Sequence, residues 1–129
     1  MFITIDPGDR RPIYEQVADG IRELIAGGAL AEGAALPPVR QIAADLGVNL
    51  NTIATAYRLL AEEGLIQVRH GQRALVASRR AASGDSGDLR RKLRSVLAQL
   101  ILAGLGEDEV LEAVTDELHV MDPKGQKAR

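Results

Sequence analysis

A chain of 129 residues has room for one ordinary domain and a small appendage, which excludes a large second ligand-binding domain. Hydrophobic residues at 46% and charged residues at 26% suit a globular protein with a buried core, while aromatics at only 2% exclude a stacking platform for single-stranded nucleic acid. The absence of cysteine removes disulfides, thiolate catalysis and Cys-ligated zinc, and a net charge of −2 argues against a basic surface spread over the whole molecule.

An apolar lead-in of Phe2, Ile3 and Ile5 runs into the turn-forming cluster Asp6-Pro7-Gly8-Asp9. Pro12 suits a first helical position, where its missing N–H needs no partner. Ile13, Tyr14, Val17, Ile21, Leu24 and Ile25 then recur at spacings of three and four, which predicts a helix that stops at Gly27-Gly28. Leu36-Pro37-Pro38 reads as an extended piece feeding a second helix, with Pro38 at an early helical position and Val39, Ile42, Ala43 and Leu46 on the inner face. Gly47 permits a positive-φ ending, and Asn49 is placed to cap a third helix over about 50–63, with Ile53, Ala56, Tyr57 and Leu60 inward and Gly64 at its end. Residues 65–69 and 74–77, around the turn His70-Gly71-Gln72-Arg73, predict a β-hairpin.

Two short helices joined by a tight glycine turn, with a hairpin after the second, predict a winged helix-turn-helix over residues 1–78. Such a unit suits duplex DNA, because the major groove admits one α-helix whose N-terminal residues meet base edges. Splitting the chain after Ser78 does not make this part basic. Its charges are nevertheless sorted: Asp6, Asp9, Glu15, Asp19, Glu23 and Glu32 precede Leu36, whereas Arg40, Arg58, Arg69, His70 and Arg73 fall within the motif. A winged helix that binds another protein is the alternative that the negative charge keeps open.

The segments Pro12-Ile13-Tyr14-Glu15-Gln16-Val17, Leu36-Pro37-Pro38-Val39-Arg40-Gln41-Ile42-Ala43, Gly47-Val48-Asn49-Leu50-Asn51-Thr52-Ile53, Ala56-Tyr57-Arg58-Leu59-Leu60 and Glu63-Gly64-Leu65-Ile66 together resemble the GntR family of bacterial transcriptional regulators. The short tail, with Val48-Asn49 and Asn51-Thr52, resembles its YtrA-type subgroup. This resemblance implies that Arg40 meets a phosphate or base edge, that Asn49, Asn51 and Thr52 meet backbone and bases, and that Thr55 lies one turn further along the same face. It places Tyr57 and Arg58 beside the DNA backbone, although the periodicity also assigns Tyr57 to the core. Arg69, His70 and Gly71 would form the wing; His70 is open between a minor-groove contact and a surface imidazole. Many family members carry arginine where this chain has Leu50 and Ala54, and a second glycine and a basic residue within Gln72-Arg73-Ala74, so the operator sequence does not carry over.

The stretch 79–87 is small, polar and rich in Gly and Ser, as a linker would be. Over 88–122, Leu89, Leu93, Val96, Leu97, Leu100, Ile101 and Leu105, then Val110, Leu111, Val114, Leu118 and Met121, predict a short helical hairpin, with 123–129 a frayed tail. The fold class expected is therefore mainly α with a small β-hairpin. The tail's apolar faces exceed what two helices can bury, which predicts a homodimer through them. Arg90, Arg91, Lys92 and Arg94 at a helix N-terminus oppose the dipole, and Asp116 and Glu117 or flanking DNA phosphates are their expected partners. No catalytic set, phosphate-binding glycine loop or metal-ligand spacing is present, so neither enzyme activity nor a cofactor or metal is expected. A small-molecule effector would have to bind between domains or subunits. With no apolar run of membrane-spanning length, the expected location is the cytoplasm.

Overall fold

The computed structural model describes residues 3–69, 71–77 and 86–121. In chain order it contains α1 (Ile13–Ala26), α2 (Val39–Leu46), α3 (Leu50–Glu62), β1 (Ile66–Gln67), β2 (Leu75–Val76), α4 (Ser86–Leu102) and α5 (Glu107–Met121). The chain divides into two compact units, residues 1–83 and 84–129.

In the first unit α3 is the central element, packing against α1, α2 and β1. Its four inward residues, Ile53, Ala56, Tyr57 and Leu60, are all buried, as the spacing predicts. They meet Val17, Ala18, Ile21 and Ile25 of α1, Ile42 and Ala43 of α2, and Leu36, Ile66 and Val76 from the extended segments in a single core. Full burial of each large aliphatic side chain stabilises the fold by about 1.5–3 kcal/mol, and Ile21, Leu36, Ile53 and Leu60 are all completely enclosed. Of the residues expected on the inner face of α1, Ile13 is the exposed one, at 40%, at the start of the helix.

Both prolines sit one position earlier than expected. Pro12 (φ −54°, ψ 150°) and Pro38 (φ −58°, ψ 147°) are N-caps, not first helical residues. The ring fixes a φ that either position accepts, and ψ remains extended while the carbonyls of Pro12 and Pro38 already accept from Gln16 and Ile42. Gly47 does end α2 in the left-handed region, at φ 69°, which an L side chain adopts only with strain.

The strands are shorter than the expected hairpin. Ile66 pairs with Val76 and Gln67 with Leu75, and one further backbone bond, from the Ala77 amide to the Leu65 carbonyl (2.9 Å), extends the contact at the end away from the turn. The segment before α2 joins as a third edge. Ala35 bridges Leu75, the Leu36 amide donates to the Ala74 carbonyl (2.8 Å), and the Val76 amide donates to the Ala34 carbonyl (2.8 Å).

The segment before α1 is tied down by Gln16, a buried polar side chain. Its Oε1 accepts from the Asp6 amide (2.9 Å) and its Nε2 donates to the Arg11 carbonyl (3.3 Å). Around it runs a chain of ion pairs, Asp9–Arg11–Asp19–Arg22–Glu63, that links this segment, α1 and the end of α3. Hydrogen bonding from Arg11 holds the Asp9 carboxyl below the usual carboxylate range. Exposed pairs of this kind each contribute little to stability, so the chain of pairs aligns elements that the core already holds.

In the second unit, α4 begins at Ser86, inside the stretch read as linker; Asp88 in its first turn suits the positive end of the helix dipole. The rest of that stretch, within residues 78–85, the expected tail 123–129 and Phe2 of the apolar lead-in lie outside the described residues. No helix among the described residues is long and apolar enough to cross a membrane.

Because Leu60 is fully enclosed at the centre of the α1–α3 contact, Leu60→Ala should lower unfolding stability by about 2–5 kcal/mol. Urea denaturation of the purified chain measures this; a loss under about 1 kcal/mol would mean that the core closes differently.

Candidate nucleic-acid interface

The helix-turn-helix is α2, Gly47 and α3, and its outer face is fixed by what α3 buries. With Ile53, Ala56, Tyr57 and Leu60 inward, the 3.6-residue period turns Leu50, Asn51, Ala54, Thr55 and Arg58 away from the core. Asn51 and Arg58 are exposed and Thr52, Ala54 and Thr55 half-buried. A helix of 13 residues spans about 20 Å, so this row presents successive turns along one side of a rod of groove-filling diameter.

The first turn of α3 is organised by its cap. The Asn49 side-chain oxygen accepts from the Asn51 amide at 2.7 Å, satisfying one of the free N–H groups of the helix start. Asn49 therefore uses its side-chain carbonyl internally and keeps its NH2 group, exposed, as the part able to meet a phosphate. Thr55 donates its hydroxyl proton to the Asn51 carbonyl (2.8 Å), which leaves the hydroxyl oxygen as an acceptor. Arg40 is exposed on the first turn of α2, and no described residue holds it in an ion pair.

Tyr57 is corrected. It is only 6% exposed, and its hydroxyl donates to the Pro37 carbonyl at 2.6 Å, so the structure uses it as a core brace and not as an open surface group. Position 57 follows the inward row Ile53–Ala56–Leu60, and the core claims it. Arg73 acts in a related way, since its guanidinium reaches the Leu36 carbonyl through Nε (3.2 Å) and Nη2 (2.9 Å). The wing and α3 thus grip neighbouring carbonyls of the extended piece that aims α2. Sequence reasoning missed the roles of Arg73 and Gln16, because a side chain that serves a distant backbone carbonyl or amide leaves no periodic signal.

On the wing, Arg69 and Gly71 are exposed, and Gly71 lies at φ 74°. A Cβ built there would meet nothing within 4 Å, so the turn's backbone, and not crowding within the molecule, calls for glycine. His70 lies outside the described residues. Two large apolar side chains here are exposed: Leu50, 40% exposed at the first position of α3, and Val68 beside the wing turn. An exposed Leu50 matches the C5-methyl group that thymine shows in the major groove. Its exposure follows from position alone, since it precedes the first buried residue of the helix. Among the described residues no cluster of His, Asp and Glu could hold a metal ion.

Residues 13–76 match the family described as bacterial regulatory proteins, gntR family. A solved structure of YtrA from Sulfolobus acidocaldarius, a GntR-family transcription factor, is 42% identical with a TM-score of 0.62, covering 74% of this chain and 97% of that one. The chain belongs to the gntR family. Its likeness to YtrA-type members extends into the tail: the HTH-type transcriptional repressor YtrA of Bacillus subtilis is 29% identical over 89% of this chain and 91% of that protein. A structure titled as a transcriptional antiterminator from Listeria monocytogenes EGD-e superposes with a TM-score of 0.83 at 27% identity, covering 94% of this chain and 92% of that chain. The DNA-binding domain of AraR, solved in complex with operator ORX1, matches 57% of this chain and 92% of that chain, with a TM-score of 0.52 at 26% identity. As a gntR-family member the chain is a transcriptional regulator with a DNA-binding helix-turn-helix.

Burial pushes the Tyr57 phenol up to about 12, against about 10 in an unfolded chain. A raised folded value means that the stability it contributes is complete below about pH 10 and is lost as pH climbs towards about 12. Wild type should therefore lose more Tm than Tyr57→Phe across that interval. Parallel alkaline melting curves for the two proteins would contradict the brace.

Proposed function

We propose that the chain is a homodimeric repressor that binds a partly palindromic operator in the cytoplasm and acts by occupying DNA, without catalysis. The observation that carries this is the outer face of α3: an uncommitted side-chain amide at Asn51, an acceptor at Thr55, a cation at Arg58 and an exposed methyl surface at Leu50, with Arg40 of α2 at the flank. Asn51, Thr52 and Leu50 would read base edges, while Arg40, Asn49 and Arg58 would meet phosphates, and Arg69, His70 and Gly71 would follow an adjacent groove. With base-reading arginines absent at positions 50 and 54, specificity would rest on amide and methyl contacts.

Dimerisation is supported by the second unit. In α5 only Val110 is buried, and Leu89, Leu93, Val96, Ile101, Leu111 and Leu118 are all exposed in the single chain. A second copy that covers these stripes would join two recognition helices in one molecule, as an operator with half-sites about one DNA turn, roughly 34 Å, apart requires. Repression is supported by the name of the Bacillus subtilis relative, and operator binding by the AraR complex.

Arg40→Ala combined with Asn51→Ala removes two exposed side chains and no core contact. Affinity for the DNA next to the protein's own gene should fall by about 100-fold or more in a fluorescence-anisotropy titration, as loss of two groove contacts predicts. Unchanged affinity would overturn this reading and favour a winged helix that binds protein.

A further inference from the structure

The two helices of the second unit carry opposite charge. On α4 the cations Arg90, Arg91, Lys92 and Arg94 stand against the single acid Asp88; α5 carries Glu107, Asp108, Glu109, Glu112, Asp116 and Glu117 and no Lys or Arg. Each helix alone is strained electrostatically. Arg90 and Arg94 are like charges one turn apart, and Asp108, Glu112 and Asp116 repeat a like charge every four residues.

The expected pairing of this basic cluster with Asp116 and Glu117 of the same chain does not form. Asp88 takes both Arg91 (3.1 Å) and Lys92 (3.6 Å) within α4, and Arg90 and Arg94 have no acidic partner among the described residues. On α5, Glu109 accepts from the Gly106 amide (2.8 Å), while Glu112, Asp116 and Glu117 are exposed and unpaired among the described residues. Opposite charges therefore lie in one compact unit, unmatched among the described residues.

Their positions say what they match. Arg90 and Arg94 flank the exposed stripe Leu89–Leu93–Val96, and Glu117 flanks the stripe Val110–Val114–Leu118, which is exposed beyond Val110, at helical spacings of three and four. Charges that border an apolar seam on two helices are arranged to close over it from opposite sides, as in paired helices generally.

We propose that the basic first half of α4 on one copy pairs with the acidic α5 face of a second copy, and reciprocally, so that charge fixes how two tails dock. A twofold axis generates each contact twice, which doubles the effect of every pair. Flanking DNA phosphates are the weaker partner, because the same unit would bring the six carboxylates of α5 towards the duplex. This pairing rests on dimerisation through the tail and adds its register.

The test uses two full-length variants. Arg90→Glu with Arg94→Glu leaves both helices with net negative charge; Glu112→Lys, Asp116→Lys and Glu117→Lys together turn the later acids of α5 into cations, leaving Glu107, Asp108 and Glu109 at its N-terminus. Sedimentation and native mass spectrometry should show each variant alone dimerising at least about tenfold more weakly than wild type, and an equimolar mixture forming a 1:1 heterodimer of near wild-type affinity. That rescue arises only if α4 of one copy meets α5 of the other. Weak variants without rescue would place the pairing within one chain and overturn the proposal. Variants that dimerise like wild type would also overturn it, and if Arg90→Glu with Arg94→Glu then lost only DNA affinity, the cluster would serve phosphates. The underlying reading fails separately: Leu93→Asp should abolish the dimer, and an intact dimer in that variant would place the interface outside the tail.

Discussion

The molecule depends on the burial of one stripe of α3. Ile53, Ala56, Tyr57 and Leu60 close the core against α1, α2 and the small sheet, and because a helix has one rotational setting at a time, that burial decides which residues face outward. The outward row of α3 is thus set from behind. Rotating α3 by one residue to improve a base contact would drive Tyr57 and Leu60 out of the core, at a cost of several kcal/mol that a single groove contact does not repay. Tyr57 and Arg73 extend the same constraint to α2 by holding the Pro37 and Leu36 carbonyls ahead of it.

Much of this frame was legible in the sequence, because helices packed on one core leave a periodic trace. The inner faces of α2 and α3, the glycine ending at Gly47 and the Asn49 cap all follow from spacing and from the chemistry of individual residues. What was not legible has a common cause. Arg73, Gln16 and the third strand edge at Ala35 act on backbone groups far away in the chain, and such contacts depend on tertiary placement, not on any local pattern. Tyr57 was ambiguous for the opposite reason: its position satisfied both a family contact and the core period, and burial decided between them. The prolines show a smaller limit, since their fixed φ fits an N-cap as well as a first helical turn.

The negative net charge, which argues against DNA binding when taken over the whole chain, is distributed. Several acids of the first unit are occupied in the ion-pair chain from Asp9 to Glu63, away from the first turn of α3, and those of the second unit concentrate on α5. The outer face of α3 keeps Arg58 with neutral Asn51 and Thr55 and carries no acid before Glu62. On the proposed reading, such a surface would rely on shape and short polar side chains more than on a broad electrostatic field, which fits leucine and alanine at positions 50 and 54.

Two recognition helices acting together on one duplex are the centre of the mechanism proposed above. Hydroxyl-radical footprinting of the bound operator, combined with the stoichiometry of the complex, measures that directly. Two protected patches on one face of the DNA, about 10 base pairs apart and occupied by two chains, are the predicted result. A single patch held by one chain at the same affinity would contradict it.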